Sequence, residues 1–428
     1  MPFSKSASKL HPEILRPSSL EMAFSIPIMI MSYFPYSPPL LSSSTQLWAP
    51  VGIVIFCAMC FFKKIFPRIQ KFSLFLLLIF LSIFVLKSLI TTNPVSFSIH
   101  IFKYAVAFLF IWFGYFWGQY SGKTAILAAI IIWVSVAVIQ IYFPGIVTSF
   151  VSGQAQSLGR GVPSFAPEPS FFAIHLSLLY LLLLKLWHVG EMPARTYILG
   201  TVVILIGLIL SASGGAVLSV LFIFLIMLFD RKIVKSKAVR MFLITVVLFF
   251  SYIGFVFLLT ADINIRAIEL GRDFFNGDIT SDASVMTRVF YIVVGVLSLL
   301  EGNVFGFELN AFETYGLSLF TTLPRIVSDT FLLIDPNLNG KIHSLFATFA
   351  LDFGLLTLFF YVYFIYKANS SLNKSIFVIF PGKIVIISFI IFLSLLPVPV
   401  GSPLFFIVIG TYLSKCINQG RKQCVNIM

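Results

Sequence analysis

Long apolar runs, each about as long as a lipid bilayer is thick, constrain this chain more than any other feature. Two examples are residues 72–89 and 241–260. A helix needs about 20 mostly apolar residues to cross the hydrocarbon core. Of the 428 residues, 59% are apolar and only 11% are charged, whereas an ordinary soluble domain has about 25% charged residues. The sequence therefore predicts an all-α polytopic membrane protein and excludes a soluble globular one.

The net charge of +13 reflects membrane topology rather than binding to nucleic acid. Lysine and arginine residues gather in short loops between the apolar runs. Cytoplasmic loops retain such residues, whereas short translocated loops lose them. Three basic clusters, at 63–71, at 231–240 and from Lys415 onwards, therefore mark the cytoplasmic side. We expect both termini to be cytoplasmic and we expect no nucleic-acid partner.

Alternation between these clusters gives about 12 predicted spans in a single integral membrane domain, 1–428. They lie near 22–34, 48–62, 72–91, 101–118, 124–143, 171–188, 196–212, 214–229, 241–260, 343–366, 377–394 and 403–415. The apolar run 289–300 is too short to cross the membrane, which takes about 20 residues. We therefore place it, as the amphipathic segment 288–300, within one large extracytoplasmic loop, 261–342. A short extracytoplasmic loop is predicted at 144–170.

The four cysteines do not form an extracytoplasmic disulfide framework. Cys57 and Cys60 lie within one apolar run, and Cys416 and Cys424 lie in the C-terminal tail. Cys57 and Cys60 share a helical face, but no His or further Cys flanks them to complete a metal site. No cluster of aspartates suggests a divalent ion either. We expect neither a metal nor a cofactor.

The short outer loop ends in a segment that holds a carboxylate at the start of a span. Residues 159–161 are Gly-Arg-Gly, and residues 166–173 are Ala-Pro-Glu-Pro-Ser-Phe-Phe-Ala. The two prolines hold the backbone extended around Glu168, and Ser170 is placed to cap the helix that follows. The segment predicts a functional carboxylate and guanidinium at the outer membrane face. The alternative is an irregular loop in which Arg160 and Glu168 simply pair.

Arginines in the large outer loop run against the positive-inside trend and need an explanation. They are Arg266, Arg272, Arg288 and Arg325. One explanation is a solvated surface on which they pair with the acidic residues of the same loop. The other is the binding of an anionic substrate, for which guanidinium groups are well suited.

Two further segments have both a structural and a functional interpretation. Residues 211–215, Ser-Ala-Ser-Gly-Gly, interrupt an apolar stretch and predict two helices joined by a tight outer turn. Small residues there favour close helix packing, or the turn could hold an anion at a helix N-terminus. His343 stands where the large loop enters the tenth span, and a histidine there either faces interfacial water or acts on a substrate.

Together these segments resemble the O-antigen polymerase and ligase superfamily, polytopic bacterial enzymes that act on glycans carried by undecaprenyl pyrophosphate. The matching elements are Gly-Arg at 159–160, Glu-Pro-Ser at 168–170, Ser-x-Ser at 211–213, Gly-Asn-Val-Phe-Gly-Phe at 302–307, and His343 followed by Gly354. The resemblance covers about 160–375. The sequence departs from the family at two positions. Gly214 stands where the Ser-x-Ser element continues into Arg, and Val304 stands where the family's Asn-Pro-Leu-x-Gly segment has Pro.

The resemblance implies an architecture like that of the GT-C class of membrane glycosyltransferases, in the bacterial cytoplasmic (inner) membrane. It implies an enzyme that polymerises lipid-linked repeat units at the outer face of that membrane. Glu-Pro-Ser at 168–170 is more similar to the repeat-unit polymerases, because the ligases carry Asn-Pro-Asn there; an O-antigen ligase is the alternative. The implied partners are undecaprenyl-pyrophosphate-linked oligosaccharide, membrane lipid, a chain-length regulator and a flippase.

The implied reaction assigns roles to the candidate residues. Arg160 and Arg288 are expected to bind the pyrophosphate leaving group. Arg266, Arg272 and Arg325 are further candidates for that contact. His343 is expected to act as the general base on the acceptor hydroxyl, with Glu168 as the second choice.

Two other classes of protein remain open. A 12-helix transporter, such as a lipid-linked oligosaccharide flippase, would carry ionisable residues within the membrane and a repeat between its halves. Here the sequence places the charged groups in the outer loops. A scaffold that binds glycan lipid without turning it over is the other alternative.

Overall fold

The computed structural model of the protein contains helices and connecting turns. It describes residues 19–36, 48–62, 82, 84–85, 87–88, 94–117, 123–147, 151, 161–230, 234, 236, 238, 241–242, 244–245, 283–307, 309, 344–372, 380–398, 400 and 402–414. Within these residues every regular element is helical. The α-helices are α1 (Ser19–Tyr33), α2 (Trp48–Phe62), α3 (Pro94–Trp117), α4 (Lys123–Tyr142), α5 (Pro169–Val189), α6 (Ala194–Ser211), α7 (Gly214–Phe229), α8 (Ala283–Leu300), α9 (Leu345–Phe353), α10 (Leu356–Leu372), α11 (Phe380–Leu395) and α12 (Pro403–Leu413). A short 3-10 helix, Pro144–Val147, follows α4.

In the part of the chain that the structure describes, four helices are long and apolar enough to cross a membrane: Phe97–Tyr115 within α3, and the whole of α4, α5 and α6. Only structures that satisfy every backbone polar group internally can cross lipid, and an α-helix does so within one segment. The predicted all-α architecture is confirmed for the described residues, and their long apolar helices are compatible with a membrane protein. The count of 12 spans and the sidedness of the loops stay predictions.

The helices agree with the predicted spans most closely around residues 211–215. Helix α6 ends at Ser211 and α7 begins at Gly214, so the small-residue segment does separate two helices. The tenth predicted span, 343–366, is instead two helices, because the chain breaks between α9 and α10. Most of the predicted spans 72–91 and 241–260 lies outside the described residues.

Helix α5 forms the centre of the protein, since 94% of its span is buried inside the structure. Helices α4, α6, α7 and α12 pack around it. These neighbours form hydrogen bonds with polar groups of α5. Ser177 bonds Ser219 of α7 at 2.8 Å, and the Tyr412 hydroxyl of α12 donates to the Leu181 carbonyl at 3.0 Å. Because α5 faces protein on all sides, it can carry polar residues that a lipid-facing helix would not tolerate.

The end of α5 opposite Pro169 contains buried charge. Lys185 donates to the Ser414 carbonyl at 3.4 Å, and its ammonium lies 5.4 Å from the centre of the Tyr412 ring. His188 Nε2 lies 2.9 Å from the carboxylate of Asp230, which ends α7. Lys185 and His188 thus each have a partner at the end of a different helix, as buried ionisable groups require.

Helices α3 and α12 pack most closely where two glycines meet. A Cβ on Gly114 would lie 2.2 Å from the Ile407 carbonyl oxygen, and a Cβ on Gly410 would lie 2.0 Å from that of Ile111. Small residues let helix backbones approach this closely within a membrane. Helix α12 therefore connects α3 to the central helix α5.

Candidate functional site

Several predicted site residues lie outside the described part of the chain. They are Arg160, Arg266, Arg272, Arg325 and His343. The structure places Arg288 in the second turn of α8 and Glu168 at the start of α5. The segments that follow Arg160 and His343 are described from Gly161 and from Ser344 onwards.

The segment after Arg160 packs directly on the Ser-x-Ser turn. Val162 N donates to the Leu210 carbonyl at 3.0 Å. Gly161 has φ +78°, and a Cβ there would lie 2.2 Å from the Ser211 carbonyl oxygen. Only glycine adopts this conformation easily and fits this space. The residues that directly follow the Gly-Arg element are therefore in contact with the Ser-x-Ser turn.

The hydroxyls of the Ser-x-Ser turn make local hydrogen bonds. Ser211 Oγ donates to the Leu208 carbonyl at 2.8 Å. Ser213 is the N-cap of α7, and its Oγ accepts from Ala216 N at 3.2 Å. These bonds favour the packing interpretation of the turn over the anion cradle, because both side chains already stabilise helix ends.

Glu168 occupies the N-cap position of α5, with an extended backbone at φ −142° and ψ 157°. The prediction that Ser170 caps this helix is wrong. Proline suits the first helical position because it has no N–H to satisfy, so the helix begins at Pro169 and Ser170 falls within its first turn. The Ser170 hydroxyl donates instead to the Glu168 carboxylate at 3.4 Å. That carboxylate is exposed and lies at the positive end of the α5 dipole.

A cluster of aromatic side chains packs around the first turns of α5. The His175 ring lies 4.4 Å from the centre of Trp133, and Trp133 Nε1 donates to the Tyr33 carbonyl at 2.9 Å. Tyr36 packs on both His175 and Trp133, and burial raises the pKa of its hydroxyl above the ordinary value. The cluster fixes the start of α5, and thus Glu168, against α1 and α4. Sequence reasoning missed His175, which lies in an apolar run without a motif.

Helices α8 and α9 pack side by side and run in the same direction. A Cβ on Gly295 would lie 2.9 Å from the Ala347 Cα, and Ser298 Oγ donates to the Ala350 carbonyl at 3.0 Å. The contacts advance along both helices together, so their N-terminal ends lie at the same end of the pair. Arg288, in α8, is therefore at the same end as Ser344, the N-cap of α9 that follows position 343.

The segment 302–307 docks on the break between α9 and α10. Leu355 N donates to the Asn303 carbonyl at 3.1 Å, and Phe307 N donates to the Leu351 carbonyl at 2.7 Å. Gly354 has φ +55°, and a Cβ there would lie 1.9 Å from the Asn303 carbonyl oxygen. Gly354 is thus required by close backbone contact. The segment that resembles the family's Asn-Pro-Leu-x-Gly element touches the glycine that follows His343.

Buried charged residues lie beneath this contact. Asp352 is 0% exposed and Lys87 is 6% exposed. The Tyr104 hydroxyl of α3 donates to the Asp352 carboxylate. Lys87 Nζ donates to the backbone carbonyls of Phe307 and Asp352, and Lys103 interacts electrostatically with Asp352. The expectation that charged groups sit in the outer loops is therefore wrong for Lys87 and Asp352. A lone charge within each predicted span, 72–91 and 343–366, was the signal that could have identified them.

These contacts satisfy the carbonyl groups that α9 leaves free at its end. The last carbonyls of a helix have no partner within it. The donors here are Thr357 Oγ1 to Phe349 at 2.6 Å, Gly354 N to Ala350 at 2.9 Å, Phe307 N to Leu351 at 2.7 Å and Lys87 Nζ to Asp352. Helix α9 therefore ends in the protein interior with its polar groups paired.

The fold and the site define a helical protein with apolar helices long enough to cross a membrane, a broken helix and buried charged residues beneath the break. No profile of a known protein family, no curated protein and no solved structure matches the chain. Across the described residues, no three His, Cys, Asp or Glu side chains are grouped so that they could hold a metal ion.

Proposed function

We propose that the protein polymerises undecaprenyl-pyrophosphate-linked oligosaccharide repeat units at the outer face of the bacterial cytoplasmic membrane. The product is a surface polysaccharide: O-antigen, capsule or exopolysaccharide. The observation that carries this proposal is the contact between Asn303 and the backbone at Gly354 and Leu355. The resemblance to the O-antigen polymerase and ligase superfamily rests partly on these two elements, which are distant in the sequence and adjacent in space.

The proposed reaction is transfer of a glycan to an acceptor hydroxyl. The hydroxyl oxygen attacks the anomeric carbon of the donor sugar, and the bond from that carbon to the pyrophosphate oxygen breaks. The hydroxyl proton passes to the general base, and the bonding electron pair leaves with undecaprenyl pyrophosphate. Arg160 and Arg288 stabilise the charge on that leaving group. His343 is the proposed base, and Glu168 is the second candidate.

The arrangement of α8 and α9 supports these roles. The two helices are parallel, so Arg288 and Ser344, the residue that follows His343 in the sequence, lie at the same end of the pair. Ser344 Oγ caps α9 by accepting from Ala347 N at 3.4 Å. A base held next to a capped helix start has a fixed position relative to a pyrophosphate bound by α8. Such pre-organisation is the main contribution that a protein makes to group transfer.

Reconstitution with a radiolabelled lipid-linked repeat unit tests the proposal. Purified protein in liposomes should convert the labelled donor into a ladder of longer lipid-linked glycans, with release of undecaprenyl pyrophosphate. A single transfer onto a different lipid acceptor, with no ladder, would indicate the O-antigen ligase. Donor that binds but stays unchanged under all conditions would indicate the scaffold.

A lipid-linked oligosaccharide flippase is the second candidate function. The specific observation in its favour is the buried Lys87, Tyr104 and Asp352 cluster at a helix break, because transporters place ionisable residues at interrupted helices within the membrane. The two functions differ in the bonds they change. A flippase moves fluorescent lipid-linked glycan between the leaflets without lengthening it, whereas a polymerase lengthens it.

A further inference from the structure

We propose that the Lys87 ammonium is a tethered cation that locks the break between α9 and α10, and that Lys87 is thereby a positioning residue for the outer-face site. The inference rests on the proposed function, because the helix that Lys87 holds begins next to His343. Lys87 itself has no assigned role in that function. It belongs to the third predicted span, of which residues 82, 84, 85, 87 and 88 are described and are helical.

The Lys87 ammonium lies at the C-terminal end of α9. The C-terminal end of a helix carries partial negative charge on its free carbonyls. Lys87 Nζ donates to one of these carbonyls, that of Asp352, and lies 6.0 Å from the centre of the Phe353 ring. Interrupted membrane helices use such carbonyl ends to bind Na⁺ or other cations. Here the cation at the end of α9 is covalently attached to a neighbouring segment.

The ammonium also connects two separate parts of the site. One of its acceptors, Asp352, belongs to α9, and the other, Phe307, ends the docked segment 302–307. A neutral side chain at position 87 would remove the donor from two carbonyls, that of Asp352 in a buried hydrogen bond and that of Phe307 in a partly buried one. Unpaired buried carbonyls are costly, so the two backbones would separate.

Neighbouring segments hold α9 on more than one side. The Asp352 carboxylate accepts from Tyr104 of α3, while the Asp352 carbonyl accepts from Lys87. Ser298 attaches the same turn to α8. Helix α9 has 9 residues and is therefore roughly 13 Å long. Fixing its C-terminal end determines where its N-terminal end, beside position 343, lies relative to Arg288.

A cysteine cross-linking experiment tests the position of segment 302–307 without using activity. Cys57, Cys60, Cys416 and Cys424 are replaced by alanine, and Asn303→Cys and Leu355→Cys are introduced, since their backbones share a hydrogen bond of 3.1 Å. With Lys87 present, a short thiol cross-linker should join the pair rapidly. Lys87→Ala should slow cross-linking at least about tenfold, and Lys87→Arg should slow it much less.

Chemical rescue separates the cation from general effects of substitution. Methylammonium fits the space left by Lys87→Ala and donates hydrogen bonds, so it should restore rapid cross-linking. Tetramethylammonium has no N–H donor and should not. Lys87→Met, which fills the space, should be slow with or without methylammonium. Ser88→Ala, at an exposed neighbouring position, is the matched control and should behave like the parent. If Lys87→Ala folds poorly, it is produced in methylammonium, which is then washed out.

A second measurement connects the lock to the reaction. In reconstituted protein, Lys87→Ala should lower kcat for glycan transfer at least about tenfold while leaving KM for the lipid-linked donor within a few fold, and methylammonium should restore kcat. Cross-linking of Lys87→Ala at the parent rate would overturn the inference. Lys87-dependent cross-linking in a protein with no glycan transfer would leave the lock standing and would reject the proposed function instead.

Discussion

Gly354 has a backbone conformation and surroundings that leave no space for a side chain. Gly354→Ala adds a methyl group that would lie 1.9 Å from the Asn303 carbonyl oxygen, at φ +55°. Strain of this kind costs roughly 1–3 kcal/mol before the clash is added. We expect Gly354→Ala to lower strongly the midpoint temperature of thermal aggregation in detergent.

Gly302 provides the matched control for that substitution. It has φ +71°, but nothing lies within 4 Å of the place where its Cβ would be. Gly302→Ala therefore carries the conformational cost without the clash and should lower the midpoint only slightly. Equal midpoints for the two variants would mean that segment 302–307 does not dock on Gly354.

The shape of the charged groups matters for pyrophosphate binding. A lysine keeps the charge of an arginine but loses its planar, two-pronged hydrogen bonding. We therefore expect Arg160→Lys and Arg288→Lys to lower polymer formation by roughly 100-fold. The measurement is the ladder of lipid-linked glycans at matched protein levels. Arg195→Lys, at an exposed position in α6, should be neutral. Full ladders from both variants would contradict the assignment.

The general base determines the pH dependence of the reaction. A histidine side chain in water has a pKa of about 6.5, and only its neutral form can accept a proton. The rate should fall as the pH drops through about 6, because a protonated histidine cannot act as a base. His343→Ala should abolish transfer and leave donor binding within a few fold. Turnover that survives in His343→Ala and is lost in Glu168→Gln would identify Glu168 as the base.

The sequence predicted some of these residues and missed others for a physical reason. Gly354 and Asn303 belong to short patterns that have a fixed local backbone requirement. Lys87, Asp352 and His175 lie in apolar runs, where hydrophobicity alone predicts a span. Their partners come from distant helices, and which helices meet is not written in local periodicity.

At the scale of the helices, the tenth predicted span is divided into two helices by a contact with a distant segment. Within the run 343–366 the only acidic or basic residue after His343 is Asp352, and the hydropathy around Gly354 gives no sign of a break. The break arises because segment 302–307 inserts its backbone beside Gly354. In contrast, the α6 and α7 boundary carries its own signal, a serine N-cap followed by two glycines, and was predicted closely.

The large outer loop makes a topological prediction. Lys367 and Lys374 follow the tenth span, so we expect that span to end in the cytoplasm and 261–342 to lie outside. Alkaline phosphatase fused after Asp282 or after Asn310 should be active in both cases. The segment that contains α8 would then enter and leave the membrane on the same side. A fusion that is active after Asp282 and inactive after Asn310 would instead show that α8 crosses.

At the scale of the whole molecule, α12 completes the enclosure of α5. Truncation after Val398 removes α12 and takes away Tyr412 and Ser414, which contact Lys185 in α5. It also removes the glycine contact with α3. We expect this truncated chain to yield no monodisperse protein on size exclusion in detergent. Truncation after Ser414, which retains every described contact of α12, should yield the parent amount. Equal yields would mean that α5 is stable without its last neighbour.

The enclosure of α5 has a consequence for how the protein is made. Ribosomes deliver α5 to the membrane long before α12, so Lys185 and His188 enter the bilayer before all of their partners exist. In a bilayer, Lys185 would lack its partners at the end of α12 until translation is nearly complete, a state that lipid disfavours. An unfinished chain therefore differs from a finished one by unburied charge in the membrane, a difference on which quality-control proteases can act.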